Sequence, residues 1–186
     1  MFYSKIESST AHRPIRDILC LEALSNNENF SVLVITALNT NDSNHYKACW
    51  ILELVLEKNL DLLIPYLDSF CSNAGLYKHQ GAIRSVSKIV LFLANRHHKT
   101  MKTGGILSLE QINMLIDACF DWLIGDAKVA SKAYAMRALL LLGKYEEWVY
   151  PELKQILTED YIKYSSAYQA AARDVLKKLN RKGLSS

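Results

Sequence analysis

Ala82-Ile83-Arg84-Ser85-Val86 lies inside the stretch 77–96, where Ala82, Ile83, Val86, Ile89, Val90 and Leu93 recur at the spacing of one helix face. The same short word returns as Pro14-Ile15-Arg16-Asp17-Ile18 and Ala48-Cys49-Trp50-Ile51-Leu52 before it. After it come Ala135-Met136-Arg137-Ala138-Leu139 and Ala171-Ala172-Arg173-Asp174-Val175. The first three copies start 34 residues apart, and the later steps are 53 and 36. A period of a few tens of residues within apolar helices marks a solenoid, in which each unit buries its apolar face against its neighbours. The expectation is an all-α chain: a right-handed α-α superhelix of paired helices, about nine in number.

Besides 77–96, helices are predicted over about 14–24, 28–39, 44–58, 60–73, 108–124, 127–144, 145–158 and 162–182. Pro14 suits a first helical position, and Ser108 suits an N-cap. The breaks carry turn residues: Ser25-Asn26-Asn27, Thr40-Asn41-Asp42-Ser43-Asn44, Ala74-Gly75 and Gly125-Asp126. One domain is expected over 1–186, with an N-terminal segment at 1–13 and a polar, basic inter-repeat loop at 97–107. The predicted core is Ile18, Leu52, Val55, Leu67, Ile83, Val86, Ile89, Leu115, Ile116, Leu139, Leu140, Leu153, Val175 and Leu179.

Composition agrees with a helical globule. Half of the 186 residues are apolar and 22% are charged, with only seven glycines and three prolines. No basic N-terminal run leads into an apolar core and a cleavage site, and no apolar stretch approaches the ~20 residues of a membrane span. A soluble, cytoplasmic protein is therefore expected, with no membrane partner. Cys20, Cys49, Cys71 and Cys119 form no CxxC pair and read as buried reduced thiols. His12, His45, His79, His97 and His98 form no spaced ligand pair, and His97-His98 reads as solvated loop. No glycine-rich phosphate loop is present, so neither a metal nor a cofactor is expected.

The paired-helix pattern resembles HEAT repeats over nearly the whole chain. Pro65 and Pro151 match the proline that this family carries in the first helix of a unit, and Asp42 and Asp126 match its turn aspartate. The recurring word matches the small-residue and arginine pattern of the second helix, with Trp50 standing in place of the arginine. The chain is also similar to short bacterial HEAT-like proteins that carry the name adenylosuccinate lyase. The Gly-Ser-Ser-x-Met-Pro-x-Lys-x-Asn loop of true lyases is missing, so lyase activity is not expected.

Charge follows the repeat. The predicted first helices (28–39, 60–73, 108–124, 145–158) sum to −8, whereas the second helices (14–25, 44–58, 77–96, 127–144, 162–182) sum to +12. The net charge of +3 conceals this split. The HEAT resemblance implies that second helices line the concave face, making that face basic. Arg84, Lys88, Lys128, Lys132, Arg173 and Lys177 are the candidate binding residues, and the partner would be a protein with an acidic surface. On 77–96, Arg84 and Lys88 sit one turn apart opposite the apolar face, so both are expected to be exposed and available. Solvation and helix-dipole complementation by Lys177, Lys178, Arg181 and Lys182 are the simpler explanation of the same charges.

Only one pair suggests chemistry. Trp122 and Asp126 are four residues apart, and HEAT-like alkylpurine DNA glycosylases use an aromatic-plus-aspartate arrangement in a basic groove. In that setting the carboxylate stabilises positive charge developing on a sugar. The plainer reading makes Asp126 a turn aspartate like Asp42, and Trp122 part of the core. Tyr66, Tyr134, Tyr164 and Tyr168 read as packing residues. A non-catalytic binding scaffold is the leading expectation, with nucleic-acid binding as the alternative.

Overall fold

The structure, a computed structural model, describes residues 1–183 except the Lys182 side chain. It is all-α, and no strand occurs among the described residues. Ten α-helices follow in order among the described residues: α1 (Phe2–Ser8), α2 (Arg13–Ser25), α3 (Asn27–Leu38), α4 (His45–Lys58), α5 (Leu67–Asn73), α6 (Gln80–Lys99), α7 (Leu109–Ile124), α8 (Val129–Leu142), α9 (Val149–Glu159) and α10 (Ser166–Gly183). The even-numbered helices pack in succession, α2 on α4, α4 on α6, α6 on α8 and α8 on α10. A second row holds α1, α3, α5 and α7, each packed on the next, and α9 lies against α8 and α10. The recurring word therefore falls on the even row.

Local chemistry sets the helix ends. The Asn26 side chain accepts from the Glu28 and Asn29 amides to start α3. Ser108 and Gln111 form a reciprocal capping box at α7. Successive units are also tied by a polar bond, in which the buried Tyr77 hydroxyl donates to the Ala37 carbonyl at 2.8 Å.

Four expectations need correction. The segment 1–13 contributes a tenth helix, α1, because Phe2 and Ile6 lie one turn apart and both are buried. Helix 60–73 is divided into a 3₁₀ turn (Leu60–Tyr66) and α5, since Pro65 has no N–H to continue an α ladder. Ile18 is 58% exposed, because α2 begins the even row and buries Leu19, Cys20 and Ala23 instead. The other thirteen predicted core residues are buried.

The fourth concerns His97, at the start of the expected 97–107 loop, which is not solvated, although 101–104 beyond it are exposed. α6 runs on to Lys99, so His97 falls one turn after Leu93 on the apolar face and is buried. Its Nδ1 accepts from the backbone amides of Ile106 and Leu107, both at 3.0 Å, which folds the connection back onto the helix. Gly105 has φ +70, and a Cβ there would overlap the His97 ring, so this position requires glycine.

Candidate functional site

The even row carries the cations, but spends half of the expected stripe internally. α4 places Glu53 within the buried run 51–56, where its residue is only 3% exposed. A carboxylate in that position needs charge and hydrogen-bond partners from the adjoining helix. α6 supplies them: Ser85 Oγ donates to Oε2 at 2.6 Å, and Arg84 Nη1 to Oε2 at 3.0 Å. Lys88 Nζ donates to Glu53 Oε1 at 3.0 Å and to Glu57 Oε1 at 3.2 Å. Burial pulls the Lys88 ammonium down, and the hydrogen bonds and charges of Glu53 and Glu57 more than reverse this, so it sits above the usual lysine range. Arg84 is exposed as helix 77–96 suggested and Lys88 is half-buried, but both are paired with Glu53 rather than available.

Lys132 also lies inside. Its residue is 2% exposed, and Nζ donates to the carbonyls of Leu123 at 2.6 Å and Gly125 at 2.7 Å and to the Tyr164 hydroxyl at 3.1 Å. It satisfies carbonyls that the end of α7 would otherwise leave open. Lys128, Arg173 and Lys177 are exposed, with Arg173 donating to the Tyr161 hydroxyl at 2.8 and 3.1 Å. The Lys182 side chain lies outside the described residues.

Trp122 and Asp126 do line one cleft, of about 490 Å³, together with Tyr77, Lys78, Gln80 and Asp121. Asp126 is unlike Asp42, whose carboxylate accepts from Tyr3 and from the Asn44 amide. Among the described residues no donor reaches the exposed Asp126 carboxylate. Gln80 braces the turn instead, donating to the Asp126 carbonyl at 3.4 Å and accepting from the Lys128 amide at 3.2 Å. The cleft sets one cation, Lys78, against the carboxylates of Asp121 and Asp126. It is acidic rather than basic, and Trp122 is buried.

A second depression, sharing Asp121 and Ile124 with that cleft, opens between α7 and α9. It encloses about 320 Å³ and is lined by Asp117, Phe120, Asp121, Ile124, Trp148, Glu152 and Ile156. Trp148, at the start of α9, stacks on Phe120 with centroids 5.3 Å apart and planes 25° from parallel. Even so, Trp148 remains 49% exposed and Ile124 61% exposed. No residue of this groove is among the binding residues expected from the sequence. Its signal was the spacing: Asp117, Phe120, Asp121 and Ile124 follow one another at steps of three, one and three on a single helix.

Among the described residues no group of three or more His, Cys, Asp or Glu is placed to hold a metal ion, and no helix is long and apolar enough to cross a membrane. Compared with protein-family models, curated proteins and solved structures, the chain matches none.

Proposed function

We propose that the protein is a non-catalytic scaffold that binds another protein at the groove between α7 and α9. One observation carries this reading: a tryptophan stacked on Phe120 is left half-exposed in an open apolar groove. Exposing such a ring to water forgoes burial worth a few kcal/mol, and tryptophans are enriched among the anchors of protein interfaces. The paired-helix packing and the recurring word are in keeping with a HEAT-like solenoid, an architecture that works by presenting surfaces.

The basic face is the weaker docking surface for this scaffold. Of its six expected cations, Lys128, Arg173 and Lys177 are exposed, whereas Lys88 and Lys132 hold internal acceptors and Arg84, though exposed, is paired with the buried Glu53. For a nucleic-acid reading, the shared cleft of Trp122 and Asp126 is favourable but its charge is not, because phosphates demand a cluster of cations.

Quantitative affinity capture from cells that make the protein tests the scaffold. Wild-type bait should retain a reproducible protein that Trp148→Ala bait, folded by circular dichroism, does not. Retention of the same proteins by both baits would place the interface elsewhere, and capture of nothing above background would contradict the scaffold.

A further inference from the structure

The rim of the α7–α9 groove carries charge of one sign. Asp117 and Asp121 lie one turn apart on α7, and Glu152 lies one turn after Trp148 on α9. All three are exposed, and among the described residues none is paired with a cation. The floor between them is apolar, formed by Phe120, Ile124, Trp148 and Ile156. From Asp117 to Ile124 the groove edge follows two helical turns, about 10 Å at 1.5 Å per residue. The volume of about 320 Å³ suits a few apolar side chains rather than a whole domain face.

We propose that this groove receives a short helical segment of a partner, apolar on one face and flanked by lysines or arginines; this rests on the scaffold reading above. Apolar side chains at helical spacing would enter between Phe120, Ile124 and Trp148. The flanking cations would meet Asp117, Asp121 and Glu152. The apolar floor supplies affinity, and the three carboxylates supply selectivity and faster association. The preferred partner is thus opposite in charge to the one that the +12 sum of the predicted second helices suggests.

The probes are two fluorescein-labelled peptides of about 14 residues, long enough to hold helical form when bound. One alternates leucine with lysine at helical spacing, and the other replaces every lysine with glutamate. Fluorescence anisotropy should report binding of the leucine–lysine peptide, weakening as salt is raised, and no measurable binding of the leucine–glutamate peptide. The triple variant Asp117→Asn/Asp121→Asn/Glu152→Gln, altered only at exposed positions, should bind about tenfold or more weakly. Ile124→Ser should weaken binding as well. Equal binding of the two peptides, undiminished binding by the triple variant, or no binding of the leucine–lysine peptide would each overturn the proposal. A partner captured through Trp148 whose docking segment is acidic would also overturn it, while leaving the scaffold in place.

Discussion

Lys88 reaches from α6 to Glu53 of α4, Nζ to Oε1 at 3.0 Å, and so neutralises a carboxylate that the packing of the even row has taken out of water. Arg84 and Ser85 complete its coordination from the same helix. A charge placed this way stands only while its partners remain.

The double variant Arg84→Glu/Lys88→Glu is therefore expected to lose about 3 kcal/mol of stability or more, since it removes both cations and brings two more anions to Glu53. Urea unfolding followed by circular dichroism measures this. If the two were ordinary surface residues the change would stay within about 0.5 kcal/mol per site. That result would remove Glu53 as a buried strut.

Lys132→Met keeps most of the side-chain length but abolishes three hydrogen bonds, including those to the Leu123 and Gly125 carbonyls. Leaving such acceptors unsatisfied costs about 1–3 kcal/mol. A midpoint in urea equal to that of the wild type would show that water takes over the role of the ammonium.

These two sites mark how much the sequence made legible. The all-α class, the order of the main helices and thirteen of the fourteen predicted core residues follow from apolar periodicity, which is itself the cause of the packing. The fates of Arg84, Lys88 and Lys132 depend on what the neighbouring helix presents. A cation on the polar side of its own helix is free only if no buried carboxylate or carbonyl faces it. Glu53 was discernible as a lone acid inside the apolar run Ile51–Leu56, and His97 as a continuation of the Val90–Leu93–Ala94 stripe. Of the α7–α9 groove only one edge was discernible, in the spacing of Asp117, Phe120, Asp121 and Ile124, because a groove is a gap between helices, set by how closely neighbours approach.

Acid should loosen the α6–α7 connection first. Burial, and secondarily the neighbouring His98, hold His97 below its ordinary value of 6.5, and Nδ1 must be unprotonated to accept from Ile106 and Leu107. A lowered folded value means that the contribution is whole above about pH 6.5 and declines as pH falls below it toward the folded value. Hydrogen exchange at the Ile106 and Leu107 amides should lose protection over that window in the wild type. In His97→Gln, which keeps an acceptor but cannot titrate, that pH dependence should vanish. Protection independent of pH in the wild type would contradict the assignment.

Gly105→Ala should destabilise more than Gly104→Ala. Both glycines have positive φ, so both substitutions carry about 1–2 kcal/mol of backbone strain. Only at Gly105 does the added methyl also meet the His97 ring, whereas Gly104 faces open space. Thermal melts of the two variants compare them directly, and equal losses would mean that the ring yields freely.

All four cysteines should resist an aromatic disulfide reagent in the native protein and react fully once unfolded. Burial raises every one of these thiols, Cys49 and Cys71 to about 12, so almost no thiolate forms at neutral pH. One fast-reacting thiol in the folded protein would show that a helix of the core opens readily.

The groove itself is tested most directly by photo-crosslinking in living cells. A benzophenone side chain is placed at exposed Ile124 in the groove or, in a parallel strain, at exposed Lys128 of the stripe expected to be basic. Irradiation should give a discrete protein adduct from position 124 that disappears when Trp148→Ala is added, and none of comparable yield from position 128. An adduct confined to position 128, or one at 124 that survives the loss of Trp148, would contradict binding at the α7–α9 groove.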